Sequence, residues 1–361
     1  MNLCGVNFGG YLSQVPDNIF TTEHLDAFIT EKDVEDIKNW GFNLIRLPVD
    51  FHLFEENSAP YKYREGRLKY IDNMIALTKK YSITVMFDLH KAPGHSFSSK
   101  ERDKNDIWDK SAENRKRFLN IWEFISARYK NESHVIFEII NEPIAPKAGM
   151  WNELAADALE AIRKNAPDNY VVVESNMWGQ AKTFPQLKKF DDDRIIYSFH
   201  DYDPILVTHQ MAEWVPFNYF DIYRKYVDYP GRPEGVKEAI KKLKEKDEYF
   251  LTFLQDQDRE YNKEEMKKVI KPVLEFRDKH KVPVFCGEFG CVAKANPRVR
   301  ANWTRDIISI FREEEISYAY WNYKNMDFGI RDFTEKYKDS PNYDSDRLNK
   351  EILKILQDGI F

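Results

Sequence analysis

The sequence predicts an α/β fold in which eight parallel strands alternate with helices and close into a (β/α)8 barrel, carried on one domain of 361 residues. Eight short apolar runs lie along the chain, and stretches with helical spacing of apolar residues separate most of them. Alternating strands and helices form right-handed βαβ units, and eight such units favour the closed barrel. An open dinucleotide-binding sheet is disfavoured because no Gly-x-Gly-x-x-Gly follows the first run.

The strands are predicted from β-branched and aromatic runs bounded by turn residues. They cover residues 3–8, 42–47, 83–89, 135–142, 170–174, 194–199, 282–285 and 317–320. Helices are predicted where apolar residues recur every three or four positions. They cover residues 31–40, about 68–78, about 111–129, 151–165, 296–314 and 348–356.

One segment after the sixth strand, residues 203–263, contains no clear barrel strand. Because a structureless loop of that length is uncommon in a compact domain, we expect a small helical insertion beside the rim. Helices are expected over 234–246 and around Ile222. The alternative is that this segment is a solvent-exposed insertion without a role in function. Four aromatic residues favour a wall of the cleft: Trp214, Phe217, Tyr219 and Phe220.

Composition restricts the class of partner. The net charge of −6 argues against nucleic acid, whose phosphates require a basic face. An aromatic content of 15% suits a carbohydrate cleft, because sugar faces stack on rings. No apolar run is long enough to cross a membrane, and no disulfide framework follows from Cys4, Cys286 and Cys291. We expect a cytoplasmic monomer, or a secreted one if a leader was removed from this chain.

Polar side chains stand where the predicted strands end. Each has an ordinary explanation when taken alone, such as a surface charge or a turn. A barrel, however, brings all eight carboxyl ends to one rim, where enzymes of this fold build their active sites. The residues expected there are Arg46, His90, Glu142, His200, Glu288 and Trp321.

Two glutamates at one rim are what glycoside hydrolysis requires, one to protonate the leaving oxygen and one to attack the anomeric carbon. A separation of about 5 Å would fit a retaining route, and roughly 6.5–9.5 Å would fit inversion. One of the two must stay protonated. We expect Arg46 to keep the nucleophile ionised and Tyr202 to donate a hydrogen bond to it.

Six motifs together resemble the signature of glycoside hydrolase family 5 over nearly the whole chain. They are Arg46-Leu47-Pro48, Asp88-Leu89-His90, Asn141-Glu142-Pro143, His200-Asp201-Tyr202, Gly287-Glu288-Phe289-Gly290 and Trp321-Asn322. The resemblance implies a barrel that hydrolyses glycosides with retention of anomeric configuration and without a cofactor. The insertion after strand six resembles that of the clostridial endoglucanase C type, whose members cleave β-1,4 and mixed-linkage glucans.

The same resemblance implies roles for the rim residues. Glu142 would be the acid/base, Glu288 the nucleophile, and Asn141 the ligand of the sugar 2-hydroxyl. The remaining residues would bind or floor the sugar or support the glutamates: Arg46, His90, His95, Trp178, His200, Tyr202 and Trp321. A cis peptide between Trp321 and Asn322 is also implied. No metal is expected, because the histidines lack the His-Glu-x-x-His spacing.

Three alternatives to an endo-β-1,4-glucanase remain at this point. An exo-β-1,3-glucosidase or a β-mannanase would share both glutamates and differ in the shape of the cleft. A carbohydrate-binding barrel without turnover is of a different class. Binding alone does not need a paired acid and nucleophile, which disfavours that third reading.

Overall fold

The computed structural model describes residues 2–97, 104–215, 227–244 and 257–361. Its eight strands are all connected in chain order into a closed barrel, which confirms the predicted fold class. Every strand pairing for which a register is given is parallel. The strands are β1 (Cys4–Asn7), β2 (Leu44–Asp50), β3 (Thr84–Lys91), β4 (Val135–Glu138), β5 (Val171–Glu174), β6 (Ile195–Asp201), β7 (Val284–Phe289) and β8 (Ser317–Tyr320).

Helices connect most of the strands, as the apolar spacing predicts. The α-helices of six residues or more in the described part of the chain are Thr22–Ala27, Glu31–Asn39, Glu65–Lys80, Glu113–Tyr129, Ala148–Arg163, Val236–Lys244, Lys263–Val269, Lys271–His280, Pro297–Glu313 and Lys350–Asp358. The pair of helices before β7 was not predicted. Their apolar residues are sparse among lysines and glutamates, and Pro272 ends the first helix by removing a backbone donor.

An apolar ring closes one level of the barrel interior. Each strand, or the residue just before it, supplies one member: Leu3, Leu44, Met86, Ile136, Val172, Ile196, Phe285 and Ala319. Every member is at least nine-tenths buried. Because side chains alternate between the two faces of a strand, the residue two positions further along each strand also points inward. On β2 to β6 that next residue is polar.

Several strands extend further than predicted. β2 continues through Pro48 to Asp50, so Arg46 lies inside the strand and not at its end. β3 and β6 likewise include His90 and His200, and β7 includes Glu288. The run before Glu142 is shorter than predicted, since β4 ends at Glu138.

The chain divides into two compact units, each with its own internal contacts. The first contains residues 1–200, 272–287 and 317–319, and includes the apolar ring. The second contains residues 201–271, 288–316 and 320–361. Within it, the helix Pro297–Glu313 packs against both Lys263–Val269 and Lys350–Asp358. The predicted single domain stays a prediction.

The insertion is described only in part. A helix at Val236–Lys244 agrees with the helix predicted over 234–246 as far as the described residues reach. Phe217, Tyr219, Phe220 and the helix expected around Ile222 lie outside the described residues.

All three cysteines are buried, and none of them forms a disulfide. Within the described ranges, no helix combines the length and the apolar character needed to cross a membrane.

Candidate active site

A layer of polar side chains lies directly above the apolar ring on the inner face of the barrel. Each member stands two residues after a ring residue on its own strand, and each is at least 99% buried. Its members include Arg46, Asp88, Glu138, Glu174 and Ser198. Only Arg46 of these was predicted as a site residue. Charged residues at alternate positions inside apolar runs, as in Val135-Ile136-Phe137-Glu138, are the sequence signal that could have identified the others.

Arg46 is the cation of this layer. Its Nε and Nη2 donate to the two carboxylate oxygens of Glu138 at 2.6 and 3.2 Å. Nη2 also lies 3.0 Å from Asp88 Oδ2, and Nη1 donates to Asn7 Oδ1 at 2.9 Å. A bidentate arginine–carboxylate pair of this kind fixes both partners in one geometry. The role predicted for Arg46 at Glu288 stays a prediction.

His90 extends the polar layer toward the rim. Its Nδ1 lies 2.8 Å from Asp88 Oδ2, and burial lowers the pKa of the His90 ring well below its usual range. The neutral ring therefore donates its Nδ1 proton to the carboxylate. That tautomer makes Nε2 a hydrogen-bond acceptor, as a sugar hydroxyl would require.

Asn141 and His95 organise the segment that follows β4. Asn141 Oδ1 accepts a hydrogen bond from Arg46 Nη2 at 2.8 Å, which leaves the amide nitrogen of Asn141 to act as a donor. His95 Nε2 donates to the Asn141 carbonyl at 3.2 Å. Burial lowers the pKa of His95 to about 4, so this ring is neutral. His95 therefore supports the backbone of Asn141, and its predicted contact with sugar stays a prediction.

Glu142 carries the features of a general acid. Burial raises the pKa of its carboxyl to about 7, against the opposing effect of the Arg46 cation. Its side chain is 14% exposed, so the group is accessible from the rim. His200 Nδ1 lies 3.1 Å from Glu142 Oε1. A carboxylic acid that stays protonated near neutral pH can donate a proton to a leaving group.

Trp178 lies close to this segment in the turn after β5. Its backbone N–H donates to the Pro143 carbonyl at 3.3 Å, and its indole N–H donates to the Phe97 carbonyl at 3.0 Å. The ring is partly exposed. The structure thus brings together seven of the predicted residues: Arg46, His90, His95, Asn141, Glu142, Trp178 and His200.

The other three predicted residues are grouped around Glu288. The Tyr202 hydroxyl donates to Glu288 Oε2 at 3.0 Å, as predicted. Trp321 N–H donates to the carbonyl of Phe289, the residue after Glu288, at 2.9 Å. The bond between Trp321 and Asn322 is cis, as the family resemblance implied. Glu288 is 5% exposed.

Two short stretches of chain contain residues that contact the glutamates or lie next to them in sequence. At the end of β6, His200 contacts Glu142, and Tyr202 follows two residues later and binds Glu288. On β7, Gly287 precedes Glu288 and approaches the His200 ring. A Cβ added to Gly287 would lie 2.9 Å from His200 Nε2. Glycine is required there because any larger residue would displace the ring.

Trp214 lies in the first part of the insertion and is 48% exposed. Its ring packs against His209 and Phe328, with centroids 6.1 and 6.2 Å away. The cleft wall that we predicted from this residue and its neighbours stays a prediction.

Glu138, Glu174 and His200 form one cluster with the spacing of metal ligands, since one atom of each lies within 4.8 Å of the others. Arg46 already neutralises the Glu138 carboxylate at 2.6 Å. A divalent cation would therefore compete with a guanidinium for the same oxygens. The donor set favours an internal ion-pair network over a metal site.

Comparison with known proteins shows which proteins this chain resembles in sequence and in fold. The model of the family described as "Cellulase (glycosyl hydrolase family 5)" matches residues 11–327. The chain is 36% identical over 355 residues to Endoglucanase C of Acetivibrio thermocellus, covering 98% of this chain and 97% of that protein. It is 30% identical to Cellodextrinase A of Ruminococcus flavefaciens, covering 87% and 83% of the two chains. A solved glycoside hydrolase with 23% identity has the same fold, with a TM-score of 0.79 and full coverage of both chains.

Replacing Arg46 by methionine tests whether this cation holds the polar layer together. Arg46→Met removes the buried cation that pairs with Glu138 and Asp88, so we expect the free energy of unfolding to fall by on the order of 3–5 kcal/mol. Chemical denaturation measures this change. Arg128→Met is the control, because Arg128 is 25% exposed and its pairs lie near the surface. That variant should cost about 1 kcal/mol or less. Equal losses in the two variants would contradict the assignment.

Proposed function

This chain belongs to the cellulase family, glycosyl hydrolase family 5, and from that membership we propose that it cleaves glucan by double displacement, with Glu142 as acid/base and Glu288 as nucleophile. The single observation that carries the proposal is the difference between the surroundings of the two carboxyl groups. Burial raises the pKa of Glu142 to about 7, whereas Glu288 accepts a hydrogen bond from the Tyr202 phenol at 3.0 Å. A retaining glycosidase requires that division of roles.

The enzyme is an endo-β-1,4-glucanase, a glycosidase acting on O-glycosyl bonds, and its substrate is a polysaccharide. The near full-length similarity to Endoglucanase C supports this activity over the exo-β-1,3-glucosidase and β-mannanase alternatives. A barrel that only binds carbohydrate is disfavoured, because it would have no need for an acid and a nucleophile.

In the first step, the Glu288 carboxylate attacks the anomeric carbon and Glu142 gives its proton to the departing glycosidic oxygen. The products are a shortened glucan and a covalent glycosyl ester of Glu288. In the second step, the Glu142 carboxylate takes a proton from water, and the water oxygen displaces Glu288 from the sugar. The proton returns to Glu142, so the enzyme ends in its starting state.

The surrounding polar groups fit this chemistry. Asn141, whose oxygen is held by Arg46, presents its amide nitrogen as a donor for the sugar 2-hydroxyl. Neutral His90 offers an acceptor for a second hydroxyl. Trp321, next to the segment that carries Glu288, would provide the floor for the sugar ring.

Product analysis tests the activity. On carboxymethyl-cellulose we expect viscosity to fall well before reducing ends accumulate, because an endo enzyme cuts inside the chain. Lichenan should also be cleaved, while laminarin and mannan should be poor substrates. Glu288→Ala should abolish hydrolysis, by on the order of 10⁴-fold or more in kcat, and leave oligosaccharide affinity largely intact. Glu351→Ala, at an exposed ion pair with Arg305, serves as the control.

Either of two results would overturn this activity. Release of glucose alone from laminarin would show an exo-acting β-1,3 enzyme with the same two glutamates. Full turnover by the Glu288→Ala variant would remove Glu288 from the mechanism.

The pH dependence tests the role of Glu142. Since the folded enzyme raises the pKa of this acid to about 7, kcat/KM for cellotetraose should fall as the pH rises through 7 and the proton is lost. The profile is measured from two pH units below 7 to two units above. A fall already complete near the ordinary glutamate pKa of about 4.3 would contradict the assignment.

A further inference from the structure

Glu174 is a third carboxyl at the carboxyl end of the barrel, and the proposed reaction gives it no chemical step. It is the last residue of β5 and is 1% exposed. We propose that Glu174 is the positioning residue of the acid/base, holding the backbone of Glu142 and packing against the histidine that contacts the Glu142 carboxyl. This inference rests on the proposed function, because it assigns Glu142 as the proton donor.

The first contact is with the Glu142 backbone. Glu174 Oε2 accepts a hydrogen bond from the Glu142 N–H at 2.9 Å. Glu142 has a φ of 47°, in the left-handed region that residues other than glycine rarely adopt. Such a conformation persists only when surrounding contacts enforce it. The Glu174 carboxyl supplies one of those contacts, and it therefore helps to set the direction in which the Glu142 side chain leaves the backbone.

The second contact is with His200. Glu174 Oε1 lies 3.6 Å from His200 Nε2, while His200 Nδ1 lies 3.1 Å from Glu142 Oε1. Glu174 thus reaches Glu142 from two sides, through the backbone amide and through the imidazole ring. Moving the carboxyl would disturb both routes.

The fold makes room for this carboxyl at Gly179. A Cβ added to Gly179 would lie 2.2 Å from Glu174 Oε1 and 3.1 Å from His200 Cγ. Gly179 also has a φ of 67°, which glycine adopts without strain. The turn after β5 is therefore shaped to admit Glu174 beside His200. The backbone end of Glu174 is fixed as well, since its carbonyl accepts a hydrogen bond from the Trp151 indole at 2.8 Å.

Glu174 performs this role as a neutral group. Burial, then the nearby charges of Glu138 and Glu142, raises the pKa of Glu174 well above its usual range. Glu138 holds the bidentate pair with Arg46, so the guanidinium is already engaged by that carboxyl. A neutral Glu174 accepts the Glu142 N–H without adding a second buried negative charge beside the acid/base.

The test uses two aryl cellobiosides that differ only in their leaving group. Phenolate is a poor leaving group and needs protonation by Glu142, whereas 2,4-dinitrophenolate departs without a proton. A residue that acts through the acid affects the phenyl substrate alone, while general damage to the site affects both. Glu142→Gln provides the reference pattern for loss of the acid.

Two replacements of Glu174 give opposite expectations. Glu174→Leu removes the acceptor, and kcat/KM for phenyl β-cellobioside should fall about 10- to 100-fold, a part of the 10²- to 10⁴-fold contribution of general acid catalysis. For the dinitrophenyl substrate kcat/KM should change by less than about threefold, because its leaving group departs without a proton. Glu174→Gln keeps a neutral group with an acceptor oxygen and should retain the ratio of the two substrates seen in the wild type.

Gly179→Ala is a second way to move the Glu174 carboxyl away from its contacts. It tests the positioning role of Glu174 if Glu174→Leu does not fold. Its methyl group pushes Glu174 Oε1 away, so the phenyl substrate should again lose more activity than the dinitrophenyl substrate. Thermal unfolding of each variant identifies those that are folded.

Three results would overturn the inference: equal losses on both substrates, no loss on the phenyl substrate, or a loss in Glu174→Gln as large as in Glu174→Leu. Failure of the proposed function looks different. In that case the wild-type enzyme would cleave neither aryl cellobioside.

Discussion

The buried guanidinium of Arg46 is the interaction on which the rest of the site depends. Along β2 to β6 the barrel interior changes from an apolar ring to a polar layer within two residues, with acids on β3, β4 and β5, and carboxylates do not stay ionised in such a place alone. Arg46 offsets that cost through Glu138 and Asp88, and its remaining donors orient Asn7 and Asn141. One side chain therefore neutralises the layer and aims the amide expected to bind the sugar.

The protonation states of the other acids follow from their distance to a positive or donating partner. Burial raises the pKa of Glu138, and its direct pair with Arg46 opposes that rise. Glu142 and Glu174 are more deeply affected by burial than by any cation, so their pKa values are raised. Glu288 instead has a phenol donor. In the proposed mechanism, carboxyls of the same chemical kind thus serve as an acid, a support and a nucleophile because their surroundings differ.

The sequence was sufficient for the fold, and it also indicated the candidate reacting residues, because both leave local signals. Strand runs and turn residues identify the barrel, and polar residues after a run identify the rim. Asp88, Glu138 and Glu174 were missed since they stand inside or at the end of apolar runs that read simply as strand. Pro48 predicts that the second strand ends near Arg46, yet β2 continues through this proline to Asp50. Which carboxyl pairs with which cation depends on barrel register, which no local pattern contains.

The stereochemistry of the first product tests the pairing of Glu142 with Glu288 most directly. Proton NMR during wild-type hydrolysis of cellotetraose follows the anomeric signals before mutarotation mixes them. Attack by Glu288 followed by water inverts the anomeric carbon twice, so the β-anomer should appear first. Initial release of the α-anomer would show a single inversion by water, and Glu288 could then not be a nucleophile bonded to the sugar.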